Sequence, residues 1–253
     1  MSAATLDIVI PMAGRGSRFA SAGFDLPKPL IDVQGKPMVQ WVVENLRPSR
    51  AHRFVFLCLA EHLERYDVAE RLDAIAPGCE VIAVDRVTEG AACTVLLARE
   101  LIDGERQLMI ANSDQWVDAS IDEYLAVADE AETDGLIMTM TADHPKWSFV
   151  RPAADGYVLE VAEKRVISNE ATVGVYNFAQ GRDYVKAAER MIDHGLRVNG
   201  EFYVAPTYNQ LIEEGARIRY HNIGGVEDAM WGLGTPEDLD VFLSSSHSQV
   251  VRG

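Results

Sequence analysis

Cysteine is scarce in this chain. There are three in 253 residues, Cys58, Cys79 and Cys93, with no CxxC pair among them. Each stands in an apolar stretch, which excludes a disulfide framework and a thiolate metal site and points to buried thiols in a reducing compartment. Long apolar runs are missing as well: none approaches the roughly 20 residues that cross a bilayer. The opening MSAATLDIVIPMAG has neither the basic start nor the apolar centre of a secretory signal. A cytoplasmic protein with no membrane partner is the expectation. Positive charge is the third shortage. Lys and Arg number 23 against 39 Asp and Glu, a net charge of −16, and no basic block interrupts that excess. Such a surface repels polyanions, so no nucleic acid is expected as a partner. Any phosphate chemistry must then rest on a few local cations and on backbone donors. The six histidines show no metal-ligand spacing, and neither a Gly-x-Ser-x-Gly elbow nor a Cys/His nucleophile pattern is present.

What the chain does have is ordinary globular material, 48% hydrophobic and 25% charged, with enough length to bury a core unaided. Its first half alternates short apolar runs with amphipathic stretches. Leu6–Pro11, Phe54–Leu59, Val81–Val84 and Gln107–Ala111 read as buried strands; Met38–Leu46, Glu61–Ala74, Ala91–Leu101 and Ser120–Ala131 read as helices. Apolar strands joined through helices predict a parallel sheet covered on both faces. From residue 135 strands follow one another, at Gly135–Thr141, Ser148–Pro152, Tyr157–Val161 and Thr172–Phe178, with Asp155-Gly156 as a hairpin turn. Asp183–His194 and Val204–Glu214 read as helices on either side of Asn199-Gly200, and Arg217–Ile223 as a late strand. Thr235 is a good N-cap for a closing helix, Pro236–Leu243, with Pro at its first position. No repeat, low-complexity tract or linker divides the chain. The fold class is therefore α/β: one domain over residues 1–243, a Rossmann-like, mostly parallel sheet flanked by helices with a β-rich insertion, then a flexible polar tail at 244–253.

The chemistry gathers after the first strand. Ala13-Gly14-Arg15-Gly16-Ser17-Arg18-Phe19 is followed by Leu26-Pro27-Lys28-Pro29-Leu30. Gly14 and Gly16 can take positive φ and let the backbone approach a ligand. Consecutive N–H groups in such a loop form a concave site for phosphate oxygens. Arg18 adds a planar fork and Lys28 a compact cation. The end of a buried parallel strand is also where ligands sit in open α/β sheets. Two familiar loops are excluded: a dinucleotide fingerprint needs glycine where Phe19 stands, and a P-loop needs Gly-Lys-Ser/Thr. A bare Gly-x-Gly-x-Arg also suits a plain tight turn; Arg15, Arg18 and Lys28 close together in an acidic chain do not.

With Gly14-x-Gly16-x-Arg18, Pro27-Lys28-Pro29-Leu30 and Gly35-Lys36-Pro37-Met38 in this order, the sequence resembles the nucleotidyltransferases that make nucleoside-diphosphate sugars and related activated phosphates. The likeness extends, more thinly, to Thr235-Pro236-Glu237-Asp238-Leu239. It implies a GT-A-like nucleotidyltransferase fold, with a nucleotide-binding half at about 1–134 and an acceptor-binding half at about 135–243. It implies an NTP held by Ala13, Gly14, Gly16 and Asn112, with Arg18 gripping the β- and γ-phosphates and Lys28 the α-phosphate. Glu89 and Gly90 fall where the family lines the base, largely with backbone groups, so the preferred base leaves no trace in side chains. Asp114 takes the place of the family's first metal-binding aspartate and implies Mg²⁺ as cofactor. The second usually precedes the late Gly-Thr, where this chain has Gly232 in Met230-Trp231-Gly232-Leu233-Gly234-Thr235. Asp228 is the candidate replacement, with Glu227 or water as alternatives. On the acceptor side the resemblance places Glu163 on the acceptor, Lys164 on its phosphate, Gly174 where it packs against backbone, and Glu201 on another facing segment. Lys36 reads as a solvated residue before a helix, and Trp147 and Trp231 as core aromatics.

The implied reaction joins a nucleoside monophosphate from an NTP to a phosphorylated small molecule, a sugar 1-phosphate or similar, and releases pyrophosphate. Two rivals stay open. A nucleotide-sugar-dependent glycosyltransferase of similar fold would hold its metal with Asp-x-Asp, where this chain has Asp114-Gln115-Trp116. A catalytically silent nucleotide-binding regulatory protein is made thinkable by Gly232. The base, the acceptor and homo-oligomerisation are not legible in the residues.

Overall fold

Leu6, Ile8, Val9 and Ile10 are fully buried, because their strand, β1 (Leu6–Met12), is covered on both faces, as an unbroken apolar run requires. The computed structural model describes residues 6–250; residues 1–5 and 251–253, at the outer ends of the expected domain and tail, lie outside the described residues. After β1 come a short helix, α1 (Ser17–Ser21), the hairpin β2 (Asp32–Val33) and β3 (Lys36–Pro37), and α2 (Met38–Asn45). β4 (His52–Leu59), α3 (Ala60–Arg65), α4 (Val68–Ile75), β5 (Glu80–Val84), α5 (Ala91–Leu96), α6 (Arg99–Ile102) and β6 (Gln107–Ala111) complete the first half. β1 runs parallel to β4 and β6, and β4 parallel to β5. Alternate residues divide the burial. Leu6, Ile8 and Ile10 face one core with Phe54 and Phe56, while Val9, Val55 and Leu57 face a second core on the other side.

The second half comprises β7 (Gln115–Val117), α7 (Ile121–Ala128), β8 (Gly135–Thr141), β9 (Ser148–Pro152), β10 (Val158–Glu163), β11 (Glu170–Phe178), α8 (Gly181–Asp193), α9 (Thr207–Glu213), β12 (Ile218–Gly225), β13 (Met230–Gly232), α10 (Pro236–Ser244) and α11 (His247–Val250). β11 is the joint between the halves. Its later residues pair antiparallel with β6, Ala171 meets Phe149 of β9, and its other edge takes β8. The β-rich segment therefore extends the central sheet rather than forming a separate lobe. The sheet has nine strands, ordered β10-β9-β11-β6-β1-β4-β5, with β8 and β12 reached through β11. β13 pairs antiparallel with β7 beside it, bringing the late chain back to the end of β6.

The differences from expectation are local. The helix expected at Glu61–Ala74 is broken into α3 and α4, because Asp67 takes a left-handed conformation at φ 50°, which aspartate tolerates better than most side chains. Within the expected tail, α11 follows α10, and Ser248 is buried with its hydroxyl donating to the carbonyl of Ser245 at 2.8 Å.

Candidate active site

Gly16 shapes the loop after β1. It holds φ 60°, and a Cβ built on it would lie 3.0 Å from the Cβ of Lys28, so only glycine lets the loop fold down over that lysine. Ala13 is buried beneath the loop, while Gly14 and Arg18 are exposed on it. Among the described residues Arg18 is drawn into no salt bridge, unlike Lys28, Lys36, Lys146 and Lys164. The loop borders a cleft of about 440 Å³ with Gly14, Gly16, Arg18, Lys28, Asn112 and Asp114 on its walls. Lys36 stands apart, paired with Glu44 at 2.8 Å.

Asp114 follows β6 at the same end of the sheet, and its carboxylate carries the ammonium of Lys28. The two residues that the sequence assigned to separate tasks thus meet directly. The backbone carbonyl of Asp114 accepts from the N–H of Leu233 at 2.8 Å, which fixes the β13–α10 connection beside it. Asp228 is not brought here. It is exposed before β13, with Oδ2 3.6 Å from the Cβ position of Gly224, and it borders neither this cleft nor its neighbour. The reason is register: Gly232 lies opposite Gln115 and Met230 opposite Val117, so Asp228, two residues before Met230, lies beyond the end of β7 that is remote from Asp114. Glu227 is also exposed and faces a different depression, beside Trp231 and Asp240. Asp238, on the first turn of α10, does line the neighbouring cleft.

That second cleft, about 520 Å³, opens between the end of β6 and the β-rich half. It shares Arg18, Ala91, Asn112, Asp114, Tyr203 and Gly234 with the loop cleft, so the two are continuous. Glu163 and Ser148 face each other across the β9–β10 pair, and the serine hydroxyl donates to the Glu163 carboxylate. Burial raises the Glu163 carboxyl above its ordinary 4.5, against the pull of Ser148 and of Lys164, whose ammonium lies 3.5 Å away. Lys164 adopts φ 53°, donates to the carbonyl of Lys146 at 3.1 Å, and rests 5.5 Å from the Tyr203 ring centroid. Burial, with the charges of Glu201 and Glu163, pushes the Tyr203 hydroxyl up to about 12. Glu201 is exposed at the rim and does not line the cleft.

Gly174 sits deep in the cleft wall at φ 84°. A Cβ there would fall 2.2 Å from Asn112 Nδ2 and 2.5 Å from Gln115 Oε1, so the glycine makes room for two amide side chains. Gln115 is 3% exposed, and its Nε2 has no partner among the described residues. The close approach that Gly90 permits is to protein: its Cβ would lie 2.3 Å from the Phe202 carbonyl oxygen. Neither Gly90 nor Glu89, which pairs with Arg197, lines a cleft; Ala91 lines both. Sequence reasoning missed Gln115, Lys146, Ser148 and Tyr176; Trp147, packed against the first core as expected, also lines the cleft, with Lys146 over its ring at 4.6 Å. Only Ser148 left a usable signal, through its hairpin register with Glu163.

A family model described as nucleotidyl transferase matches residues 8–197. The chain belongs to the nucleotidyl transferase family. Its relatives include the mannose-1-phosphate guanylyltransferase catalytic subunit beta of Danio rerio, 27% identical over 177 residues, 68% of this chain and 49% of that one. The chain spans about half the length of the curated relatives it matches. Among solved structures, the nucleoside-diphosphate-sugar pyrophosphorylase of Vibrio cholerae RC9 matches with a TM-score of 0.79 and 27% identity, over 94% of this chain and 100% of that one. The inositol-1-phosphate CTP transferase of T. maritima shares the fold, with a TM-score of 0.72 and 18% identity over 96% of both chains. The α/β fold expected from sequence is thus the fold of this family.

Proposed function

We propose that this protein transfers a nucleoside monophosphate from an NTP to a phosphorylated small molecule, a sugar 1-phosphate or close analogue, with release of pyrophosphate. The observation that carries this is the junction of the two clefts at Arg18 and Asp114. An in-line displacement needs two anionic substrates end to end, with cations where their phosphates meet. A phosphate oxygen of the acceptor attacks the α-phosphorus, a new P–O bond forms, and the bond to pyrophosphate breaks. Because the attacking oxygen is already anionic, no general base is required. Arg18, exposed at the junction, stabilises the departing β- and γ-phosphates. Lys28 turns from Asp114 to the α-phosphate. Lys164, backed by Glu163, grips the acceptor's phosphate, and Ser148 and Tyr176 offer hydroxyls to its body.

The donor set fits a hard divalent cation such as Mg²⁺, since Asp114 already carries a positive charge in the form of Lys28. Among the described residues no group of three or more His, Cys, Asp or Glu side chains could hold a metal ion, so phosphate oxygens and water must complete its shell. With Mg²⁺ bound at Asp114, the site gains a Lewis acid that neutralises charge on the phosphate oxygens. The free thiols of Cys58, Cys79 and Cys93 suit a reducing cytoplasm, and no helix among the described residues is long and apolar enough to cross a membrane.

The test is a screen of four NTPs against phosphorylated sugars, alcohols, amines and phosphonates with Mg²⁺, reading pyrophosphate and product mass. One pair should release pyrophosphate stoichiometrically with a nucleotidylated product. Transfer from a nucleotide sugar without pyrophosphate, or NTP binding without turnover, would overturn this reading.

A further inference from the structure

Gly232 leaves the nucleotidyl transfer site one carboxylate short, and the structure supplies another from a different element. We propose that Asp238, on the first turn of α10, is the second acidic partner of the divalent cation at Asp114, in the space a side chain at 232 would occupy. This rests on the nucleotidylyl-transfer reading above. A Cβ built on Gly232 would lie 3.5 Å from Asp238 Cγ and 3.6 Å from its Oδ2. One built on Gly234 would lie 3.0 Å from Asp114 Oδ2 and 3.9 Å from Asp238 Oδ2. The two carboxylates therefore converge over the same glycine, one from the end of β6 and one from α10.

Asp238 is spared for this role by the way α10 begins. Thr235 caps the helix by accepting the Asp238 N–H at 3.1 Å. An acidic side chain at this third position commonly reaches back to the cap's own N–H. Here no such bond forms, and the carboxylate faces the cleft, with Lys146 at 4.0 Å as its charged neighbour. Each carboxylate thus has one ammonium beside it, Lys28 at Asp114 and Lys146 at Asp238. When substrate phosphates draw those lysines away, a hard cation replaces their charge. Asp228 has no such placement.

The experiment is Mn²⁺ titration by electron paramagnetic resonance, with and without a non-hydrolysable NTP analogue. The wild type should bind Mn²⁺ tightly only with nucleotide, and Asp114→Asn should lose that binding. Asp238→Ala should weaken it about 10–100-fold, as loss of a supporting acidic partner does, while Asp228→Asn should leave it unchanged. Gly232 has no positive φ and meets only ordinary contacts, so Gly232→Asp in the Asp238→Ala background should restore affinity to within a few-fold. Wild-type affinity in Asp238→Ala, with Asp114→Asn still deficient, would overturn the assignment of Asp238 and leave nucleotidylyl transfer standing. A loss that Gly232→Asp does not restore, in a variant with an unaltered melting curve, would reduce Asp238 to a helix-positioning role and overturn it too. Absence of nucleotide-dependent Mn²⁺ binding in the wild type would overturn the reading on which it rests.

Discussion

Arg18 stands exposed on a five-residue helix, outside any salt bridge among the described residues, in a chain of net charge −16. Under the proposed function, a guanidinium left free where carboxylates outnumber cations is the group that meets the NTP phosphates. Arg18→Ala should lower kcat/KM about 10²–10³-fold by removing one preorganised donor, and should change folding stability by no more than about 0.5 kcal/mol. Pyrophosphate-release kinetics and a melting curve check both halves. Glu163 makes the opposite case, a carboxyl held by the fold. Burial raises it above 4.5, so the folded chain binds that proton more tightly than the unfolded chain. The stability it contributes is fully present below pH 4.5 and is lost as pH rises through the raised folded value. Against Glu163→Gln, which stays neutral, the wild type should therefore lose stability as pH rises from below 4.5 toward neutrality. Urea melts across that range measure it, and a pH-independent difference would refute it. Arg18, Lys28, Asp114 and Lys164 were legible because motif spacing fixes them on short segments. Asp238 was not: its approach to Asp114 passes over Gly232 and Gly234, and only folding brings α10 to the end of β6.

Between elements, Gly90 and Phe202 form a close clasp, with 2.3 Å between a Cβ built on the glycine and the Phe202 carbonyl oxygen. The Phe202 N–H donates to the Glu89 carbonyl at 2.8 Å, and the Ala92 N–H to the Phe202 carbonyl at 3.1 Å. Gly90 itself holds φ 136°. Gly90→Ala would set a methyl carbon inside that hydrogen-bonded clasp and strain the backbone as well. The expected loss is about 2–4 kcal/mol in urea unfolding, with the Tyr203 wall of the cleft loosened and KM raised; a loss below about 1 kcal/mol would refute the clasp. From sequence the glycine was visible, but not its neighbour, because Phe202 lies in a remote segment with no periodic pattern. The same limit hid β7 and β13. Each has three residues, too few for an alternation to declare itself, yet their pairing brings Gly234 and α10 to Asp114. Long apolar strands such as β1 and β4 were legible because burial on both faces leaves a run that few other structures need. The break at Asp67 was not, since nothing in Glu61–Ala74 interrupts the helical spacing.

At the scale of the whole molecule, β11 decides how the halves cooperate. By pairing with β6 it joins the β-rich strands to the parallel strand that leads into Asp114, so the two clefts are set by one sheet rather than by a hinge. Substrate roles should then follow cleft walls. Arg18 borders both clefts and should affect both substrates, whereas Lys164 borders only the one beside the β-rich half. Lys164→Ala removes one charge-assisted phosphate contact, about 1.5–3 kcal/mol, so the acceptor KM should rise roughly 10–100-fold with the NTP KM nearly unchanged. Its ammonium has close contacts, Glu163 at 3.5 Å and the Lys146 carbonyl at 3.1 Å, which position it without saturating its charge. The measurement is a pair of KM titrations, with calorimetry of NTP binding in the absence of acceptor as the control. Equal weakening toward NTP and acceptor would mean that the clefts are one site for one substrate. No change toward either would mean that Lys164 is held by Glu163 for structure alone.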